Sequence, residues 1–338
     1  MNKLKFLIIG LGSMGKRRIR NLLFNKIDKN FIFGFDTDIK KCKETEKKYK
    51  IVSFSNFKKA DNSVLPDVYI ISTPPEHHSR YFLQAAKKKK HFFVEVTTTD
   101  KGYKDLKHFL DKSFVAVPSC TYRYHPAVVK INELIKSKKI GKILFYNYQL
   151  GQYLPDWHPW EDYRKVYFSK KETGGCMEMF PYELIWINMV VNSGVEKILG
   201  VTEKISDLEI TADDYYSALL LHKNGIRGNI TIDLLSRSPK RTLRIVGSDG
   251  ILDWEWQENL IKLYSAKKRK WIMISLNHDN AEKNYINTED MYNYEIKDFL
   301  KAITGKQSFP YSFDEDQKII NTLRVLEKSA NIRKMLKV

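Results

Sequence analysis

Gly10-Leu11-Gly12-Ser13-Met14-Gly15 follows an apolar run and opens a segment of helical spacing. In that setting Gly10 permits a tight turn, Gly12 lets a pyrophosphate approach the backbone, and Gly15 lets the helix lie close to the sheet. The phosphates then rest on the helix N-terminus, where N–H groups and the dipole favour an anion. Asp36 closes the next apolar run about 21 residues further on, near the place where a dinucleotide fingerprint puts the acid that holds the adenosine ribose. Its charge would repel a 2′-phosphate, so NAD is expected over NADP, although Lys40 and Lys41 nearby leave NADP open. Asp36 could equally cap the helical segment that starts at Ile39.

Two further stretches belong to the same edge. HFFVEVTTTD, residues 91–100, reaches one glutamate, Glu95, and then Val96 and three threonines. It reads as a buried strand whose carboxyl end opens toward a ligand, with no proton carrier after the glutamate. Ser72-Thr73-Pro74-Pro75 ends another apolar run and leads into Glu76-His77-His78. The prolines stop the strand and preset a turn, and Ser72, Thr73 and Pro74, with His78, are expected to pack on the cofactor. Two adjacent histidines suggest a metal only if a third ligand stands at a useful spacing. None does, so no metal site is expected.

These residues need a scaffold. KLKFLIIG, FIFGFD, DVYIIST, HFFVEV and SFVAVPS read as strands, and 13–24, 39–49, 76–89 and 101–112 have helical spacing. Such alternation means βαβ units and a mostly parallel sheet with helices on both faces. The strands are continuously apolar, as strands covered on both faces are. The pattern changes near Cys120. After a helix at 126–137 come KILFYNYQL, DYYSALLLHK, IRGNITIDLL and RTLRIVG, whose alternating polarity indicates a half-buried, largely antiparallel sheet. Asn224-Gly225 has the signature of a two-residue hairpin turn. Helices at about 291–303 and 313–335 close the chain. The expected boundary lies between residues 119 and 121, with a dinucleotide-binding domain over 1–120 and a second domain over 121–338.

Composition narrows the classes. A chain of 338 residues, 43% hydrophobic and 13% aromatic, has room for two domains and enough apolar surface for a core, so disorder is excluded. No apolar stretch approaches the roughly 18 residues of a membrane span, and no membrane role is expected. MNKLKFLIIGLGSMGK has a lysine and an apolar run but no small-residue cleavage site, and is read as a first strand rather than a signal peptide. Cys42, Cys120 and Cys176 are too few and scattered for a disulfide framework, which suits a cytoplasmic protein. The formal charge of +18 comes almost wholly from lysines spread along the chain. The densest run, at 87–90, closes a helical segment, where cations meet the negative end of the dipole. It is read as a solvated face, with no nucleic-acid partner.

GLGSMG, Asp36, STPPEHH, the FFVE strand, TYRYHP at 121–126 and the long mixed second half together resemble the Gfo/Idh/MocA family of oxidoreductases. The resemblance covers essentially the whole chain. It implies an α/β protein with an N-terminal Rossmann domain and a C-terminal α/β domain that carries a large, mostly antiparallel open sheet. It also implies a bound nicotinamide dinucleotide, substrates that are sugars, inositols or sugar nucleotides, and homodimers or homotetramers built through the open sheet. The EVxT strand and GGCMEMFPYEL at 174–184 further resemble a subgroup of bacterial surface-glycan enzymes.

Two positions depart from the family pattern. Where the family has a lysine and a proline after the glutamate, and uses the lysine for substrate binding and proton transfer, this chain has Val96 and Thr97. Where it often has an acid and then a histidine one helical turn later, this chain has Glu178 and Tyr182. What remains is a polar and aromatic segment, GQYLPDWHPWEDYRKVYFSKKET at 151–173, which suits a sugar site or else a packed aromatic loop.

The combined expectation is an NAD-dependent oxidoreductase acting on a secondary alcohol of a sugar or nucleotide sugar, in bacterial glycan biosynthesis. Removing a hydride from such an alcohol requires a base for the hydroxyl proton. Tyr182, with Glu178 or Glu183 near it, is the first candidate, and its phenol needs a cation such as Lys165 or Arg164 to lower its pKa. His158, whose ordinary pKa already suits neutral pH, is the second. Glu95 would orient cofactor or substrate, and Arg123 would bind the cofactor carboxamide or a substrate oxygen. Val96, Trp157 and Tyr163 complete the expected substrate contacts with Arg123, His158, Arg164, Lys165, Glu178 and Tyr182. Two other readings stay open. One is a dinucleotide-binding sensor or assembly subunit that has lost its acid–base pair. The other is an epimerase in which tightly held NAD oxidises and re-reduces one substrate.

Overall fold

The runs FLII and VYII carry no charged side chain, and such strands are stable only where both faces are covered. The structure, a computed structural model, describes residues 4–157, 159, 161–276 and 289–338. Its first sheet has six strands: β1 (Phe6–Ile9), β2 (Ile32–Phe35), β3 (Val52–Phe54), β4 (Val68–Ile71), β5 (His91–Val94) and β6 (Ala116–Pro118). All pairings are parallel, in the order β3-β2-β1-β4-β5-β6, and every residue of β1 and β4 is buried. The connections carry α1 (Ser13–Phe24), α2 (Ile39–Tyr49), α3 (Phe57–Val64), α4 (His78–Lys87) and α5 (Tyr103–Lys107). The strand order reverses between β1 and β4, which is where open α/β sheets of this order bind a dinucleotide. The short β3 and α3 were not anticipated. Asn56 starts α3 by accepting the Lys59 N–H at 2.9 Å.

The chain divides into two compact units, Met1–Thr121 with Glu289–Gln317 and Tyr122–Thr288 with Lys318–Val338. The expectation that everything past 120 belongs to the second half therefore misses 289–317. That segment contains α9 (Asp290–Ile303). Ile296, Phe299 and Leu300 of α9 share one core cluster with Ile19 and Leu22 of α1. Polar contacts fix the register: Asn21 donates to Asn293 Oδ1 at 2.8 Å, and Arg17 and Arg20 both reach Glu289 Oε1, at 3.0 and 2.9 Å.

Another local expectation is corrected in the same unit. The helix at 101–112 is confined to five residues, because Asp111 turns onto the Ser113 N–H at 2.7 Å and pairs with Lys89 at 2.8 Å. The lysine run is solvated, with Lys87, Lys88 and Lys89 exposed, and it also forms ion pairs. Lys88 pairs with the buried Asp61 at 2.5 Å and Lys90 with Asp67 at 3.1 Å.

The second unit is built on α6 (Pro126–Lys136), β7 (Ile143–Gly151), α7 (Leu154–Trp157), α8 (Cys176–Val191), β8 (Val195–Glu203), β9 (Tyr215–His222), β10 (Arg227–Asp233), β11 (Lys240–Gly247), β12 (Gly250–Glu255), β13 (Leu260–Ser265) and β14 (Lys270–Ser275), closed by α10 (Phe313–Ile332) and β15 (Leu336–Lys337). The division between the units falls within α10. The strands form one sheet in the order β14-β13-β12-β11-β7-β10-β9-β8-β15. Only β7 and β10 pair in parallel. Alternate residues such as Tyr146, Tyr148, Leu150, Ile230 and Ile232 are buried, and α8, apolar nearly all round, lies against that face. The turn at Asn224-Gly225 is a three-residue connection, not a two-residue one. His222 N–H bonds to the Ile226 carbonyl at 2.9 Å, and Gly225 takes the left-handed φ of +85°, the arrangement of a turn followed by a bulge.

A β-carbon at Gly15 would lie 1.8 Å from the Gly10 carbonyl oxygen. Gly15→Ala is therefore expected to destabilise the fold by more than about 2 kcal/mol, although alanine is the better helix former by about 1 kcal/mol. Urea denaturation measures the difference. An unchanged or higher midpoint would show that α1 can lift from the sheet without cost.

Candidate cofactor and substrate site

The glycine loop is shaped by close approaches at its two ends. Gly10 has φ +89°, and a β-carbon there would sit 2.6 Å from the Ser72 carbonyl oxygen at the end of β4. Gly12 differs. Its φ is −70°, open to any residue, and nothing lies within 4 Å of where its β-carbon would be. No side chain caps α1 and no acid stands in its first turn, so the helix end is suited to an anion. Leu11 is buried, Ser13 exposed and Met14 half-buried.

Asp36, at the end of β2, accepts the Leu11 N–H at 2.8 Å on one oxygen and the Asp38 N–H at 2.9 Å on the other. It thereby ties the glycine loop to β2. The cap of α2 is Asp38, which accepts the Lys40 N–H at 2.8 Å. Lys40 and Lys41 are exposed on the first turn of α2.

At the end of β4, Ser72 N–H bonds to the Ile9 carbonyl at 2.7 Å. Burial pushes the His78 imidazole down to about 4, so the ring is neutral at neutral pH, and its Nε2 donates to the Thr73 carbonyl at 2.7 Å. His78 thus holds the loop from inside the unit. The Thr73 hydroxyl is buried without a hydrogen-bond partner among the described residues, as a group reserved for a polar ligand would be. Pro74 precedes a short turn at Pro75–His77 that leads into α4.

Glu95 follows β5, its N–H on the Ile71 carbonyl at 3.0 Å. Arg18 of α1 grips its carboxylate at 2.6 and 3.0 Å. Val96 is half-buried, and Thr97 is buried with its hydroxyl donating to the Thr99 carbonyl at 3.1 Å. The sequence reading missed Arg18. Its signal is the inward stripe of α1, where Gly15, Arg18, Ile19 and Leu22 recur at helical spacing. A charge on such a stripe calls for a buried counter-charge.

In the second unit, Gly175 enters α8, and Glu178 and Tyr182 follow one turn apart on the same side of it. Both are half-buried. Tyr167 donates to Glu178 Oε1 at 2.9 Å. The Tyr182 ring stands edge-on to Tyr122, with centroids 5.1 Å apart. Tyr122 in turn is stacked on His125 at 5.3 Å and lies under the Arg241 guanidinium at 4.1 Å.

Glu183 is fully buried. It accepts from Tyr148 at 2.6 Å, Trp186 at 2.7 Å and Arg241 at 2.7 Å. Burial pushes its carboxyl up to about 7, against the pull of Tyr148 and Trp186. Arg123 is half-buried and donates to the Ile185 carbonyl of α8 at 3.3 Å. The cation expected beside Tyr182 was Lys165 or Arg164. Arg164 is engaged by Asp162 at 2.8 Å and Glu209 at 3.0 Å, and the Lys165 side chain is 83% exposed. Arg241 is the cation stacked on the tyrosine cluster.

The aromatic segment packs on itself. Trp157 meets Phe168 edge-on at 4.9 Å, and Phe168 stacks on Tyr167 at 4.2 Å. The cavity that Trp157 and Phe168 line with Tyr163 and Glu161 holds only about 10 Å³, which has no room for a sugar. The Trp157 indole N–H is buried without a partner among the described residues. His158 lies outside the described residues. Among the described residues no group of three His, Cys, Asp or Glu side chains could hold a metal ion, and no helix is long and apolar enough to cross a membrane.

Comparisons with known proteins agree with this geometry. Residues 4–118 match the family model described as oxidoreductase family, NAD-binding Rossmann fold, and 128–253 match that of the GFO/IDH/MocA C-terminal domain. No curated protein sequence matches. An oxidoreductase domain protein from Kribbella flavida is 17% identical with a TM-score of 0.86, covering 100% of both chains. Levoglucosan dehydrogenase in complex with NADH is 17% identical with a TM-score of 0.83, covering 99% of each chain. GenD2 from gentamicin A biosynthesis, in complex with NAD, is 14% identical with a TM-score of 0.81, covering 100% of this chain and 97% of its own. At these identities the likeness to solved structures speaks for the fold, and the two family models carry the assignment: the chain belongs to the Gfo/Idh/MocA family of oxidoreductases, whose N-terminal half is an NAD-binding Rossmann fold.

Proposed function

We propose that the protein is a cytoplasmic NAD-dependent dehydrogenase that oxidises a secondary alcohol of a sugar or nucleotide sugar in bacterial glycan biosynthesis. The observation that carries the cofactor half is the open space over Gly12. Neither the backbone, at φ −70°, nor any neighbouring atom asks for glycine there, whereas a pyrophosphate laid on the N-terminus of α1 does. The Thr73 hydroxyl would meet the dinucleotide further along. Each oxygen of Asp36 already accepts one backbone N–H and keeps a lone pair for a ribose hydroxyl. A 2′-phosphate would bring its charge against that carboxylate. NAD, when bound, supplies the hydride acceptor.

The substrate half is supported by the likeness to levoglucosan dehydrogenase, which has been solved with NADH and levoglucosan. The proton has to be taken by this chain's own groups, and Val96 offers none. Tyr182 is the group assigned to receive it, with Glu178, one turn away and held by Tyr167, as the carboxylate behind it. His158 is the second candidate. Val96 also favours a second reading, a dinucleotide-binding protein without turnover.

The outer face of the second sheet supports self-association. The pairing register lines up Trp271, Tyr264, Ile251, Val246 and Phe145 in one row on that face, and Trp271 and Phe145 are 41% and 39% exposed. An apolar row of this length suits a second copy of the same sheet. Light scattering at micromolar concentration is expected to give a dimer or tetramer, and Phe145→Glu to weaken it. A monomeric mass for the unmodified protein removes the idea.

Calorimetry is expected to show NAD(H) bound more tightly than NADP(H), with equal or reversed affinity showing that Lys40 and Lys41 outweigh Asp36. Gly12→Val should abolish binding at unchanged thermal stability, because its side chain meets no protein atom and occupies the phosphate position. Retained binding would move the phosphates elsewhere. Tyr182→Phe should lower turnover by about 10²–10⁴-fold, the usual cost of losing a general acid–base, with cofactor affinity unchanged. The assay is NADH absorbance across a panel of sugars and nucleotide sugars. If Tyr182→Phe and His158→Ala both keep full turnover, the proton assignment is wrong. If no sugar is turned over or epimerised, the binding-only reading stands.

A further inference from the structure

Arg18 is a fully buried charge that the dehydrogenase reading leaves without a task. Its side chain is 0% exposed. A guanidinium is tolerated at such a place only when paired and hydrogen-bonded, and Arg18 has two carboxylates. Its Nε and Nη2 donate to Glu95 Oε1 and Oε2 at 2.6 and 3.0 Å, the two-pronged geometry that fixes a carboxylate in one plane. Its Nη1 lies 3.0 Å from Glu295 Oε2 of α9. The ring of Phe93 faces the guanidinium at 4.6 Å.

The two carboxylates are not equivalent. Glu295 is fully enclosed. Besides Arg18 it accepts from Ser119 Oγ at 2.9 Å, Cys120 N–H at 2.6 Å and Thr121 Oγ1 at 2.5 Å, and its lone pairs are taken. Glu95 keeps 13% of its side chain exposed, beyond the carboxyl end of β5, and its one further neighbour is Ser72 Oγ at 3.4 Å. In the order β3-β2-β1-β4-β5-β6, β2 and β5 stand on opposite sides of the switch point. Asp36 on β2 marks the adenosine side, so Glu95 marks the nicotinamide side. Burial pushes the Glu295 carboxyl up and closes it off, and Glu95 is the carboxylate of the cluster that reaches solvent.

We propose that Arg18 is a positioning residue. It holds the Glu95 carboxylate in one orientation at the nicotinamide end of the cofactor site, and thereby favours the oxidised dinucleotide, whose nicotinamide ring is cationic, over the reduced one. The proposal rests on the cofactor reading above. A purely mechanical role, in which Arg18 only ties α1 to β5 and α9, would change stability and leave the preference between the two redox forms alone.

The quantity that separates these is the ratio of the dissociation constants of NAD⁺ and NADH, measured by calorimetry on the full chain. Glu95→Gln removes the charge and should raise the ratio about tenfold, as expected for losing one nearby charge in a partly screened site. Arg18→Met combined with Glu295→Gln removes the guanidinium together with the buried carboxyl that shares it, and leaves Glu95 in place without its clamp. It should raise the ratio to the same extent. Adding Glu95→Gln to that pair should change the ratio by less than about twofold, because two residues that act through one group are not additive. A wild-type ratio in the Arg18→Met/Glu295→Gln protein overturns the proposal, and so does full additivity in the triple variant. If the double variant fails to fold, Arg18→Lys, which keeps the charge and loses the fork, carries the test, and an unchanged ratio there overturns the proposal as well. An unchanged ratio in Glu95→Gln with both nucleotides still bound overturns it while leaving the cofactor reading intact. Failure of the unmodified protein to bind either nucleotide overturns both.

Discussion

At Gly15 the backbone of α1 comes so near the end of β1 that a β-carbon would sit 1.8 Å from the Gly10 carbonyl oxygen. Much of the first unit depends on that approach. It brings the helix end level with the carboxyl ends of β1 and β4, so that N–H groups rather than side chains face the switch point. It also sets the rotation of α1. With Gly15 against the strand, the residues three, four and seven places on face inward, and these are Arg18, Ile19 and Leu22. Two of them join the apolar core. The third carries a charge into it, and the sheet and α9 had to supply Glu95 and Glu295 in answer. One steric contact therefore decides where a phosphate could rest and where a carboxylate is clamped.

The second unit solves a comparable problem with different material. Glu183 is buried at the centre of α8 and gathers Tyr148, Trp186 and Arg241. Removing any one partner would leave a buried polar group unpaired, which costs more than the bond was worth. The cluster fixes the rotation of α8 about its axis. Glu178 and Tyr182 are then presented together on one side of the helix, as Glu183 cannot leave its pocket. Arg241 passes the constraint on by stacking over Tyr122, the ring against which Tyr182 stands.

Local physics was legible in the sequence and distant pairing was not. The glycine loop, the spacing to Asp36 and the continuously apolar strands are each set by residues within a few places of one another, and their types state their roles. The alternation of β7, β9, β10 and β11 likewise announced a half-buried sheet. The return of 289–317 to the first unit is set by Asn21 meeting Asn293 and by Arg17 and Arg20 meeting Glu289, pairs separated by more than two hundred and fifty places. Neither partner alone hints at the other. The lysine run is a solvated face, but its ion pairs with Asp61, Asp67 and Asp111 were not legible, because those acids lie elsewhere in sequence. Asn224-Gly225 carried the right turn chemistry but not the loop length, since one extra residue in a bulge uses the same glycine. Arg18 was visible in principle, as a cation at the spacing of a buried stripe, but its partners Glu95 and Glu295 lie far off in sequence.

Val96 bears most directly on the chemistry. In the family pattern the residue after this glutamate is a lysine that carries a proton, and position 96 is half-buried and next to the clamped Glu95. Valine removes that option and leaves Glu95 committed to Arg18. On the proposed reading the proton must then pass through α8. A phenol is a poor base near neutral pH unless a cation stabilises its anion, and Arg241, the cation in that cluster, is already paired with Glu183. On that reading Tyr182 would relay the proton rather than store charge, taking one from the substrate as it gives up its own to a carboxylate. Glu178 is the acid that helical spacing puts within one turn of it, and the hydrogen bond from Tyr167 steadies it there. Where the family pattern has its lysine and its histidine, this chain has Val96 and Tyr182, and within the second unit the buried anchor of α8 at Glu183 fixes how Tyr182 and Glu178 are presented.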